Sequence, residues 1–147
     1  MDAAGFLESI RASQDYCGQL VHVEYIPRRS AVFGDVSPPV GGAVREALER
    51  QGITRLYSHQ AEAVEAVRAG DNIVVVTSTA SGKTLCYNVP VAEALEADSS
   101  ARALYVYPTK ALAQDQLGKL RQYQLPFLRP ATYDGDTPQD ARKAIRA

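Results

Sequence analysis

Apolar residues recur along this chain in two rhythms. Val40, Val44 and Leu48 stand four residues apart, and Ala61, Val64 and Val67 three apart, the stripes of two short amphipathic helices. Ser37 followed by Pro38 and Pro39 reads as the start of the first helix, and Gly52 as its end. Ser58 reads as the cap of the second, which stops at Gly70. Ile73, Val74, Val75 and Val76 break this rhythm with an unbroken β-branched run, the pattern of a parallel strand covered on both faces. That strand, residues 72–77, is followed by a helix over Lys83 to Ala97 and a second strand over 103–107. A helix over Lys110 to Arg121, a third strand over 130–133 and a helix from Pro138 onward complete the alternation. Strands alternating with helices predict right-handed crossovers and an α/β fold with a parallel sheet flanked by helices.

The lead-in is less regular. Phe6, Leu7 and Ile10 predict a short helix from about residue 3 to 13, read as a docking arm. Leu20 to Ile26 has the β-branched and aromatic content of an extended segment, and Arg28 to Ser37 reads as a loop. Residues 1–36 are therefore taken as an N-terminal lead-in and 37–147 as the domain proper.

Composition narrows the class. The chain has 147 residues, 46% hydrophobic and 22% charged, with 16 basic against 17 acidic side chains. This excludes a disordered tail and a supercharged nucleic-acid arm. Uninterrupted apolar runs are only about four residues long, as at Ile73 to Val76, against the roughly 20 that a membrane helix needs, so no membrane partner is expected. The first residues lack the basic and apolar regions of a secretory signal, and a reducing, cytoplasmic location is expected. Cys17 and Cys86 form at most one disulfide and cannot alone make a four-ligand zinc site; both are expected as buried packing thiols.

Chemistry concentrates in the connections. Residues 77–84 read TSTASGKT between a strand and a helix, where backbone amides and a helix N-terminus converge on phosphate oxygens. Gly82 lets the backbone approach closely, Lys83 supplies the charge that reaches the β and γ phosphates, and the Thr84 hydroxyl can ligate Mg²⁺. Thr79, Ala80 and Ser81 supply the remaining loop backbone. The loop is degenerate, because Thr77 replaces the usual first glycine and Ala80 stands where another is common. Upstream, LYSHQ presents Gln60, whose amide offers a donor and an acceptor side by side for an adenine edge; His59 is read as a capping or packing residue. Downstream, YPTKALAQDQ ends a strand at Pro108, caps a helix with Thr109 and sets Lys110 at its N-terminus, a combination able to hold one phosphate of a nucleic-acid backbone. YDGDTP places Gly135 in a tight turn and Thr137 as the last helix's cap, although two aspartates oppose an anion there.

Together these segments resemble the first motor domain of a superfamily 2 helicase of the DEAD/DEAH-box kind, with spellings most similar to the MrfA/YprA group of DNA-repair helicases. LYSHQ resembles the Q motif, TSTASGKT motif I, YPTKALAQDQ motif Ia and YDGDT the glycine segment after it. The resemblance covers about residues 37–147 and implies a P-loop NTPase (RecA-like) sheet, truncated within the first motor domain. It implies ATP and Mg²⁺ held by Tyr57, Gln60 and the 79–84 loop, with Lys83 and Thr84 as catalytic groups. It also implies DNA, single-stranded or with a single-stranded tail, gripped by Pro108, Thr109, Lys110, Gly135 and Thr137. The sequence contains no Asp-Glu pair, so motif II is absent, as are motif III and the second RecA-like domain required in cis. In that fold the motif II strand lies between the strands of motifs I and Ia, so this stretch alone would expose unpaired edges and is expected to be inactive. Two alternatives remain open at this point: a P-loop small-molecule kinase, and a non-catalytic truncated nucleotide-binding fragment.

Overall fold

A computed structural model describes residues 2–27 and 30–146. The chain divides into two compact units, Met1–Ser30 and Ala31–Ala147. In the first, helix α1 (Ala3–Arg11) is capped by the Asp2 carboxylate, which accepts from the Gly5 amide at 2.7 Å, and buries no residue. It ends two residues earlier than its apolar spacing predicts. The 20–26 segment follows without a strand partner, with Val21 and Ile26 largely exposed. Of the predicted loop from Arg28 to Ser37, Arg28 and Arg29 lie outside the described residues.

The second unit contains β1 (Phe33–Gly34), α2 (Gly42–Arg50), β2 (Leu56–Tyr57), α3 (Ser58–Arg68), α4 (Lys83–Ala97), α5 (Lys110–Gln122) and α6 (Gln139–Arg146). Its core is helical. Val44, Ala47 and Leu48 from α2, Ala61 and Val64 from α3, and Val89 and Ala92 from α4 close around Leu120, Tyr123 and Leu125. Val64 and Val89 are fully buried or nearly so, and side chains of this kind contribute about 1.5–3 kcal/mol each by leaving water. Polar ties reinforce the packing. The Arg68 guanidinium on α3 donates to both carboxylate oxygens of Glu93 on α4, at 2.6 and 3.1 Å, and to the Pro38 carbonyl.

Two helix starts differ from expectation. α2 begins at Gly42, not at Ser37 to Pro39, because that stretch is occupied elsewhere: the Ser37 amide donates to Glu65 and the Pro38 carbonyl accepts from Arg68, both on α3. Ser58 is the first residue of α3 and not its cap. The capping contact comes from Gln60, whose carbonyl accepts from the Tyr57 amide at 2.8 Å, the carboxamide half of a capping box. The stops at Gly52 and Gly70 occur as expected, each one residue beyond the C-cap, Gln51 or Ala69, in the left-handed region.

The parallel sheet does not form among the described residues. Their one sheet is the antiparallel pair of β1 and β2, with Phe33 opposite Tyr57 and Gly34 opposite Leu56. Residues 72–77, 103–107 and 130–133 form no ladder, because a ladder needs a neighbouring strand within about 5 Å and none of the described segments provides it. The first two nevertheless keep a strand's period of two. Ile73, Val75 and Thr77 are half-buried while Val74 and Val76 are 89% and 88% exposed; Tyr105 and Tyr107 are half-buried while Leu104 and Val106 are 91% and 82% exposed. Each segment thus lies on the helices by one face only, and not on both as the apolar run implies. A cavity of about 270 Å³ beside the first of them is lined by Ile73, Val75, Lys83, Cys86 and Tyr87. Cys86 is a buried thiol as expected; Cys17 is exposed, so its packing role is corrected.

Candidate functional site

Residues 77–82 form an open connection into α4, and the helix begins at Lys83 as the sequence predicts. Gly82 is its N-cap at φ +79°, a left-handed conformation that disfavours any side chain. A Cβ at this position would also collide with Nε2 of Gln60. No side chain caps the helix; within its first turn the Leu85 amide turns back to donate to the Gly82 carbonyl at 3.1 Å. The Lys83 ammonium donates to the carbonyls of Thr77, at 2.8 Å, and Ser78, and the Thr77 and Ser81 hydroxyls meet at 2.6 Å. Ala80 adopts φ +59°, a strained choice for a residue with a side chain.

The loop is held from behind by the start of α3. Two consecutive side chains engage two consecutive loop carbonyls: His59 Nε2 lies 3.0 Å from the Ser81 oxygen, and Gln60 Nε2 donates to the Gly82 oxygen at 2.9 Å. Gln60 is 2% exposed, so its amide works first as a buried clamp between the Tyr57 amide and the loop. One donor and one acceptor site of that carboxamide remain after these contacts. Tyr57 stacks between Phe33 at 5.4 Å and His59 at 5.9 Å, and the Arg55 guanidinium covers Phe33 at 4.7 Å. Tyr57, Gln60, Thr79, Ala80, Ser81, Gly82, Lys83 and Thr84 are thus gathered where α3 meets the N-terminus of α4. Sequence reasoning gave His59 no part in the loop and overlooked Phe33; a polar residue adjoining Gln60 was the available signal for the former.

A second corner collects the downstream residues. Thr109 caps α5 as predicted, accepting from the Leu112 amide at 3.2 Å. Lys110 pairs with Asp136, and Gly135 lies close to the same ammonium. This ion pair holds the lysine's pKa above its usual value, chiefly through the hydrogen bond to Asp136. Thr137 does not cap α6. Its hydroxyl turns back to accept from the Asp134 amide at 2.9 Å, while Arg142 donates to the carbonyls of Asp134, Gly135 and Thr137 and lies over the Tyr133 ring. Pro108 precedes the cap on the segment that carries Tyr105 and Tyr107. Burial pushes the Tyr107 phenol up to about 12, and its hydroxyl has no hydrogen-bond partner among the described residues.

Residues 57–147 match the DEAD/DEAH box helicase family. The chain belongs to that family. Among its relatives, the uncharacterized ATP-dependent helicase YprA of Bacillus subtilis is 42% identical over 130 residues, 86% of this chain and 17% of YprA. The ATP-dependent helicase HRQ1 of Saccharomyces cerevisiae is 35% identical over 145 residues, 95% of this chain and 13% of HRQ1. The crystal structure of the DUF1998 helicase MrfA bound to DNA and AMPPNP superposes with a TM-score of 0.81 at 36% identity, over 99% of this chain and 20% of that one. These matches support a RecA-like fold and the helicase over the kinase reading. The chain spans less than a fifth of the curated relatives it matches. No described helix is long and apolar enough to cross a membrane, and no cluster of metal-ligating side chains occurs among the described residues.

Proposed function

We propose that this chain is the N-terminal part of an ATP-dependent DNA helicase acting in repair, and that residues 37–147 carry the nucleotide loop and the first strand-contacting elements of its first RecA-like domain. The observation that carries this reading is the loop itself. It enters an uncapped helix N-terminus through a left-handed glycine, presents a lysine, and is anchored by His59 and Gln60 from the neighbouring helix. Anions favour such a terminus because its amides and the helix dipole converge on one point.

In this reading Lys83 exchanges its loop carbonyls for the β and γ phosphates of ATP, and Thr84 holds Mg²⁺. The metal, when bound, offsets phosphate charge as the γ-phosphoryl group leaves. The Tyr57 face and the remaining Gln60 sites receive adenine, so base recognition and loop position share one side chain. Pro108, Thr109, Lys110, Gly135 and Thr137 follow the DNA backbone, with Lys110 releasing Asp136 as phosphate arrives. The half-exposed segments 72–77 and 103–107, with 130–133, are strands of a parallel sheet completed by further chain. Their bare apolar faces and the unpaired Tyr107 hydroxyl support this. The second motor domain in cis closes the site, and the protein works in the cytoplasm.

The test is DNA-stimulated ATP hydrolysis by the full-length protein and its Lys83→Ala variant. Catalysis here is largely positioning and charge stabilisation, so the variant should lose turnover by orders of magnitude. Unchanged turnover would remove the assignment.

A further inference from the structure

We propose that Asn88 is a positioning residue that couples the nucleotide loop to the DNA-contacting elements, a role that rests on the helicase reading above. Asn88 lies on α4, one helical turn beyond Thr84 and therefore on the same face. It is 4% exposed and uses both ends of its carboxamide. Oδ1 accepts from the Tyr105 hydroxyl at 3.1 Å, and Nδ2 donates to the Tyr123 hydroxyl at 3.5 Å. Tyr105 precedes the Thr109–Lys110 corner by four residues, and Tyr123 is the C-cap of α5, whose N-cap is Thr109. One buried side chain therefore touches the segment leading into α5 and the C-cap at its far end, the stretch that carries Pro108, Thr109 and Lys110.

The surroundings make this bridge specific. Tyr87 meets Tyr105 edge-on at 5.6 Å, and Tyr105 stacks with Tyr107 at 6.3 Å, so the ring of Tyr105 is fixed on both sides. Burial raises the pKa of both Tyr105 and Tyr123 still further above neutrality, so both stay neutral phenols. A carboxamide is suited to this place because it accepts from one phenol and donates to the other without burying a charge. When the first turn of α4 moves on taking up phosphate, Asn88 moves with it and shifts Tyr105 and Tyr123 together. An apolar residue at this position would keep the packing and lose the link.

The experiment measures ATP turnover by the full-length protein with and without single-stranded DNA, in wild type, Asn88→Leu, Tyr105→Phe and the double variant. Asn88→Leu is expected to leave basal turnover, the KM for ATP and the half-saturating DNA concentration unchanged. It should lower the DNA-stimulated kcat about tenfold, a rise of about 1.4 kcal/mol in the barrier of the stimulated step. Tyr105→Phe, which keeps the ring and hence the packing, should lower it in the same direction, and the double variant should be no worse than Asn88→Leu alone. Undiminished stimulation in both variants would overturn the proposal, as would a parallel loss of basal and stimulated turnover with a lowered Tm. If Asn88→Leu fails to fold, Tyr105→Phe alone decides by the same criteria. A wild type without DNA stimulation, or a Lys83→Ala variant with full turnover, would overturn the helicase reading too. The coupling role alone fails when wild type is stimulated and the variants match it.

Discussion

Two corners of this molecule are built from the same parts, a helix N-terminus, a nearby glycine and a lysine, yet they differ in what faces the lysine. At the 77–84 loop the Lys83 ammonium rests on neutral carbonyls, and two side chains of α3 fix the loop from behind. At the α5 corner Lys110 is exposed and already faces a carboxylate, Asp136, while Arg142 holds the 134–137 turn through its carbonyls. A lysine that has only carbonyl partners gains a full charge partner when a polyphosphate arrives. One that must first give up an aspartate gains little more than it loses. The first corner is thus suited to firm nucleotide binding and the second to repeated, weak exchange with a moving backbone.

This contrast is open to attack in order of expected effect. Lys83→Ala should remove ATP turnover by orders of magnitude, whereas Lys110→Ala should leave basal turnover intact and lower the salt dependence of DNA binding by about one phosphate contact. Equal effects on both readouts would erase the distinction between the corners. Gly82→Ala comes next, since it adds a Cβ at φ +79° against Gln60. Nucleotide affinity should drop at least about tenfold, the size of effect expected from a strained residue at a binding loop, and titration calorimetry measures it. Asp136→Asn should act in the opposite sense, tightening DNA binding about threefold at low salt and not at high salt, as expected for an exposed ion pair. Fluorescence anisotropy across a salt series checks it; weaker binding would mean that Asp136 orients Lys110 and does not compete for it. Smallest of all, Ala80→Gly should relieve the left-handed alanine at φ +59° and raise stability by about 0.5 kcal/mol, after the extra freedom gained by the unfolded chain is subtracted. Thermal unfolding reads that change directly.

Local signals in the sequence were reliable wherever one turn of chain decides the outcome. Lys83 to Ala97, the Thr109 cap and the stops at Gly52 and Gly70 depend on neighbours only a few residues away, and each is found in the structure. Ser37 has the sequence of a helix start but is not one, because Glu65 and Arg68, about thirty residues onward, claim its amide and the next carbonyl. Ser58 and Thr137 show the same limit over a shorter range: both have a capping hydroxyl, but Gln60 takes the capping contact in one case and Asp134 draws the hydroxyl away in the other. The β-branched run at Ile73 to Val76 keeps a strand's alternation of burial, yet a ladder is a property of two segments, and one segment cannot announce its partner. Of the site, the loop residues were legible because their spacing is local. His59 behind Ser81, Asp136 against Lys110 and Asn88 between two tyrosines were not, since each is defined by a contact 17 or more residues away.

The central claim is that the amides before α4 and the Lys83 ammonium receive the triphosphate of a nucleotide. Calorimetric titration of MgATP into the full-length protein, beside ADP and the Lys83→Ala variant, tests it most directly. The account predicts saturable one-site binding by the wild type that is weakened at least about tenfold by removal of the lysine, the cost of losing one charged phosphate contact. Equal affinity of the two proteins for MgATP would contradict it.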